Sequence, residues 1–263
     1  MSKTIAVFNQ KGGVGKTTST YHLARAAILA NLRVLVIDLD PQGSLTDVIA
    51  KHQVPDDAVG IADVLSARTK ETLADVTVGS IWENLDLAPT SGSVLSAVRE
   101  ELVVGGAGRE GRLKAAIAEV KDQYDLILVD CPPSLDQLAI NGLTAADAVL
   151  VVTHSGLFSI NGLSDLLDTV ASVQQYYNPA LVIEGILVNQ HEAGTTRGDA
   201  WLVAIQDAAT NLSLPLLTPP VPKRVVIADS LESGTGLDQW GTPQARELGD
   251  LYTSYLNTLE NAS

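Results

Sequence analysis

The 263-residue chain holds one cysteine, Cys131, one methionine and two phenylalanines, and aromatic residues make up only 4% of it. A lone thiol excludes an internal disulfide. His22, His52, His154 and His191 show no ligand spacing with one another or with Cys131, so a structural zinc site is not expected. Long apolar runs are also missing. Ala148–Val152 and Leu181–Ile183 fall far short of the roughly 18 residues a membrane span needs, and no bilayer crossing is expected. The opening Met1-Ser-Lys-Thr-Ile-Ala-Val-Phe-Asn turns polar too early for a secretory leader, which together with the single thiol points to the cytoplasm.

Cations are scarce. Lys and Arg number 17 against 31 Asp and Glu, for a formal charge of −14. The shortage deepens along the chain: no basic side chain lies between Lys121 and Arg197, and the second half has only Arg197, Lys223, Arg224 and Arg246. Any polyanion-binding surface there rests on those four.

What the chain does have is apolar mass. Hydrophobic residues are 46%, charged residues 18%, and the mean hydropathy is +0.17. A chain of this size buries roughly 70 to 75% of its extended surface, and residues 1–263 read as a single domain without repeats, low-complexity tracts or linkers. Thr4–Phe8, Arg33–Asp38, Asp125–Asp130, Ala148–Thr153 and Leu181–Asn189 are short Val/Ile/Leu-rich runs. Helical stretches follow the first of them (Leu23, Ala26, Ala27 and Ala30 at helical spacing) and recur near 136–146, 162–177 and 243–260. Strands apolar on both faces, alternating with helices, predict an α/β fold: one doubly wound, mostly parallel sheet covered on both sides. The middle, about 52–122, is less regular, with helix expected at Ile61–Leu65 and Leu113–Val120 and a connector at Gly105–Gly111. Leu214–Pro222 reads as a short strand entering a stiff proline loop.

Chemistry gathers at the end of the first strand. In Lys11-Gly12-Gly13-Val14-Gly15-Lys16-Thr17-Thr18 the glycines let successive N–H groups face one concavity at a helix N-terminus, a natural phosphate seat. Lys16 adds a full charge for the β- and γ-phosphates, and the Thr17 hydroxyl is placed for Mg²⁺. The strict P-loop pattern wants glycine at position 10, where this chain has Gln10 followed by a lysine.

That departure carries a resemblance. Lys11–Thr18 is similar to the deviant Walker A motif of the ParA/MinD superfamily, and the likeness runs over nearly the whole chain, closest to the short, Soj-like partition ATPases without an N-terminal DNA-reading extension. The resemblance implies a P-loop ATPase domain using ATP and Mg²⁺, with Lys16 serving its own nucleotide and Lys11 reaching that of a second subunit, so that ATP joins a homodimer. Asp38-Leu-Asp40-Pro-Gln-Gly43 resembles the family's switch I: Asp40 would position the attacking water and Asp38 support the Mg²⁺ shell. Asp125–Ser134 resembles the Walker B strand and switch II, with Asp130 holding a water on Mg²⁺ and Ser134 free to cap the next helix. Asn189 and Pro222 match places where the family grips adenine.

The resemblance also implies a biological role: partition of plasmid or chromosomal DNA, non-specific DNA binding by the ATP dimer through such residues as Arg197, Lys223 and Arg224, slow hydrolysis stimulated by a ParB-like partner, and nucleoid association. One departure weakens the DNA surface, since Val226 stands where many relatives are basic. Iron–sulfur relatives need two cysteines per subunit, which this chain lacks. Membrane-binding relatives use a basic amphipathic C-terminal helix. Here the stripe Leu248, Leu251, Tyr252, Tyr255, Leu256, Leu259 is backed by Glu247, Asp250 and Glu260, which anionic lipid would repel, so it is expected to pack on the sheet. Two rivals stand beside the partition reading: an ATPase that positions protein cargo without touching DNA, and a P-loop synthetase acting on a small molecule.

Overall fold

The computed structural model describes residues 2–55, 57–156 and 158–261. Eight strands form one sheet: β1 (Lys3–Phe8), β2 (Val34–Asp38), β3 (Val78–Gly79), β4 (Leu85–Ala88), β5 (Leu126–Asp130), β6 (Ala148–His154), β7 (Val182–Asn189) and β8 (Leu216–Leu217). Their spatial order is β3-β4-β2-β5-β1-β6-β7-β8, and every neighbouring pair is parallel except the edge pair β3–β4.

The helices are α1 (Lys16–Leu29), α2 (Ser44–Ile49), α3 (Ile61–Leu65), α4 (Leu73–Val76), α5 (Gly92–Val104), α6 (Arg112–Val120), α7 (Gln137–Ala145), α8 (Phe158–Tyr176), α9 (Thr196–Asn211), α10 (Val225–Glu232) and α11 (Pro243–Asn261). Alternate strand residues point to opposite faces, and the core divides accordingly. Ile5, Val7, Val36 and Leu128 meet Tyr21, Leu23, Tyr252 and Tyr255 from α1 and α11. Ala6, Phe8, Leu35 and Ile127 meet Leu95, Leu113 and Leu138 from α5, α6 and α7. Every residue of β2 and β5 is buried, which is why those runs carry no polar alternation until they reach their terminal aspartates.

The chain leaves β1 toward β2 on one side and, after β5, crosses over β1 to β6 on the other. A doubly wound sheet opens its ligand crevice at such a reversal, beyond the C-terminal strand ends. The loops after β1, β2 and β5 meet there.

Several expectations change in detail. The irregular middle contains β4 and the 13-residue α5, and only Leu216–Leu217 of the 214–222 segment pairs as a strand. The α11 stripe is buried in the core layer on the α1 face of the sheet, with α1 as its main helical neighbour and Leu251 only partly covered. Ser134 does not cap α7. Asp136 does, its Oδ1 accepting from Leu138 N at 2.9 Å, while the Ser134 hydroxyl donates to Asp136 Oδ2 at 2.9 Å. A carboxylate is the better acceptor for two amides, and the serine steadies it.

Candidate active site

The loop after β1 is held from three directions. Asn9 closes the strand: its Nδ2 donates to Val152 O (2.7 Å) on β6, and its Oδ1 accepts from Lys11 N (2.9 Å). Gln10, at the position where the strict motif has glycine, spends its amide on α8, donating to Thr169 Oγ1 at 2.9 Å. From the end of β7, Asn189 Nδ2 donates to Val14 O (2.9 Å) and Gln190 Nε2 to Gly13 O (3.3 Å). Gly13 and Gly15 sit at φ +74° and +91°, in the left-handed region, and a Cβ on Gly15 would lie 2.0 Å from Asn189 Nδ2. The loop can close on β7 only because position 15 has no side chain.

Gly15 heads α1 without a capping side chain, and the helix's first turn has no acidic residue. Its first amides are therefore left for an anion from outside the chain. Lys16 is buried at the same point, its ammonium donating to Lys11 O at 3.3 Å. Burial pulls its pKa below the ordinary lysine range against the opposing pull of Asp130 and Asp40. A phosphate there would relieve that penalty.

Asp38 and Asp130 are facing residues of the paired strands β2 and β5, and both are buried. Asp38 is fixed by three donors: Thr46 Oγ1 (2.8 Å) and Thr46 N (2.9 Å) to Oδ2, and Asp40 N (3.2 Å) to Oδ1. Asp130 accepts from Thr17 Oγ1 at 2.7 Å and Thr20 Oγ1 at 3.3 Å. Burial pushes both carboxyl groups above the ordinary range, and the charge of Asp38 pushes Asp130 further. A divalent cation beside them reverses that logic. The donor set of a threonine hydroxyl and two carboxylates is all oxygen, which fits Mg²⁺. Among the described residues no group of three or more His, Cys, Asp or Glu side chains forms a metal site by itself. Such a set suits an ion that keeps waters and takes phosphate oxygens as further ligands. Asp40 stands half-buried at the crevice mouth, its Oδ1 accepting from Gln42 N at 3.0 Å.

Thr18, Asn189, Pro222, Arg224 and Ile227 line an adjoining cleft of about 270 Å³. Lys11 faces elsewhere. With His154, Glu192, Arg197 and Lys223 it lines a second cleft of about 290 Å³, and its Nζ lies 3.2 Å from His154 Nε2. The structure thus gathers Lys16, Thr17, Asp38, Asp40 and Asp130 in one crevice and sends Lys11 outward. Of the three cations expected to touch DNA, Arg197 and Lys223 line the second cleft and Arg224 the first, yet Lys223 Nζ is 2.7 Å from Glu192 Oε1 and Arg224 Nη1 donates to Lys223 O. Val226 packs against the core. Sequence reasoning missed Asn9, Thr46, His154 and Gln190. Gln10 was visible as a departure, but its partner on α8 was not.

A family model described as an AAA domain matches residues 2–183. The chain is 40% identical over 204 residues to the sporulation initiation inhibitor protein Soj of Bacillus subtilis, covering 75% of this chain and 76% of that protein. It is 34% identical over 248 residues to the chromosome-partitioning ATPase Soj of Treponema pallidum, covering 91% and 90%. Among solved structures, cobyrinic acid a,c-diamide synthase from Mycobacterium smegmatis with bound ATP analogue and magnesium superposes at TM-score 0.78 and 33% identity, covering 95% of this chain and 93% of that one.

Proposed function

The chain belongs to the ParA/MinD superfamily of ATPases, and from that premise we propose that it is a partition switch: an ATP-dependent homodimer that positions DNA and is reset by slow hydrolysis. It is an ATPase, and its cofactors are ATP and Mg²⁺. In this reading the loop amides and Lys16 bind the phosphates. Thr17 ligates the metal, and Asp130 and Asp38 orient its waters. Bound Mg²⁺ supplies charge neutralisation at the phosphates. Asp40 accepts a proton-bearing water at the crevice mouth, while Asn189 and Pro222 border the base.

One observation carries the dimer. Lys16 and Lys11 stand five residues apart in one loop, yet the first is buried in its own cradle and the second is exposed on an outer cleft. A lysine aimed away from its own phosphates has work to do on another molecule's. A dimer joined through such charge-assisted contacts forms with the triphosphate and loosens after hydrolysis.

DNA would be held without sequence preference by Arg197, Lys223 and Arg224 from both subunits, and a ParB-like protein would speed the reset. In a −14 protein whose Lys223 is already paired with Glu192, that hold is weak and salt-sensitive. The test is a DNA titration with ATP, ADP and no nucleotide at two salt concentrations, on wild type and on Lys223→Glu/Arg224→Glu. Retention only with ATP, lost in the double variant, is expected. ATP-driven dimers that ignore DNA at low salt would hand the role to a protein cargo.

The synthetase alternative draws on the 33% identity to the diamide synthase. Taking ammonia from glutamine for amide formation needs an accessible thiolate. Cys131, the chain's one thiol, is fully buried; Gly142 packs so close that a Cβ there would lie 2.8 Å from its sulfur, and burial drives its pKa upward. Held in that way, Cys131 does not fit the part of such a nucleophile.

A further inference from the structure

The side chain of Lys11 reaches back onto its own subunit. Its ammonium lies 3.2 Å from Nε2 of His154, the last residue of β6, and burial together with the lysine's own charge holds that imidazole below its ordinary pKa. A neutral ring offers Nε2 as an acceptor, and an ammonium can only donate. The ring is backed by the turn that follows β6: a Cβ on Gly156 would lie 3.3 Å from Nε2. The main chain of Lys11 is pinned as well, by Asn9 Oδ1 on its N–H and Lys16 Nζ on its carbonyl. His154 also pairs in register with Asn189 on β7, so neighbouring strand ends hold the loop at Lys11 and at Val14.

We propose that His154 is a positioning residue that stores the Lys11 ammonium in the single subunit, so that each subunit must surrender this contact before its lysine can engage a second copy. The proposal rests on the reading of Lys11 given above. It makes His154 a brake on ATP-driven association, acting against the dimer without touching nucleotide. The other charges lining the same cleft are Glu192, Arg197 and Lys223, and Lys223 Nζ is paired with Glu192 Oε1 at 2.7 Å.

The test compares wild type with His154→Phe, which keeps a ring but has no lone pair, and His154→Gln, whose amide oxygen restores an acceptor. Association is followed by sedimentation velocity with ATP and Mg²⁺ on an Asp40→Ala background that stalls turnover. Two partly exposed contacts are given up per dimer, each worth about threefold, so His154→Phe should tighten association about tenfold. His154→Gln should stay near the parent, and monomer binding of a fluorescent ATP analogue should be unchanged in both. Adding Lys11→Ala should erase the difference between the Phe variant and its parent if the brake works through that lysine, and a difference that persists without it overturns the brake. Should His154→Phe melt early, His154→Leu takes its place. Unchanged or weaker association in both apolar variants overturns the brake. If Lys11→Ala by itself leaves ATP-driven association intact, the partner-lysine reading fails instead, and the two failures are told apart.

Discussion

His22 sits on the face of α1 turned away from the crevice, 3% exposed, with ring centroids 5.0 Å from Tyr21 and 4.8 Å from Tyr252. Its Nε2 lies 3.3 Å from Ile227 O, so the neutral ring can donate one hydrogen bond while a second proton would bring a charge into the core. Burial lowers its pKa to about 4. The unfolded chain takes up that proton below about 6.5, and the native chain refuses it until about 4, so stability falls as pH drops through this window. At 1.36 kcal/mol per pH unit the full loss is about 3 kcal/mol, of which about 2 kcal/mol has accrued by pH 5. Asp38 and Asp130 act in the opposite sense, because their raised pKa values let protonation favour the native state as pH falls. A comparison at matched pH cancels them. Urea unfolding of wild type and His22→Leu, followed by tryptophan fluorescence in Mg²⁺-free buffer at pH 7, 6 and 5, isolates the histidine. Between pH 7 and 5 the wild type should lose about 2 kcal/mol more than the variant. Parallel pH dependences would refute the assignment of a neutral, buried ring.

Two further perturbations probe the crevice. Gly15→Ala combines a left-handed backbone angle with a Cβ placed 2.0 Å from Asn189 Nδ2, so isothermal titration should show ATP affinity reduced by at least tenfold, about 1.4 kcal/mol; wild-type affinity would mean that the loop does not close on β7. Asp40→Ala should still bind ATP and accumulate dimer while phosphate release falls about a hundredfold, the low end for removal of a proton-accepting group; undiminished turnover would strip Asp40 of its water-positioning role.

The parallel sheet was legible because β1, β2, β5, β6 and β7 are apolar on both faces, a pattern that only a doubly covered sheet produces. The loop was legible for a different reason: close approach to phosphate demands glycine and lysine at fixed spacing. The middle was not. β4 is only Leu-Asp-Leu-Ala, with Asp86 in its interior accepting from the Tyr124 hydroxyl at 2.9 Å, and a run so short and charged lacks strand periodicity. α5 begins in Gly-Ser-Val and ends with Val103 and Val104 exposed, which blurs its apolar face. His154 and Gln190 could not be found from spacing at all. Each matters because β6 lies between β1 and β7, and that adjacency is a property of the sheet order.

Asp38 and Asp130 occupy one rung of the β2–β5 ladder. Were β5 to shift by a single residue, Asp130 would be turned over into the opposite helix layer while Asp38 on β2 and Thr17 on α1 stayed where they are, and the all-oxygen set would lose one member at a stroke. A register error at this rung would therefore remove a donor outright instead of loosening the set by degrees.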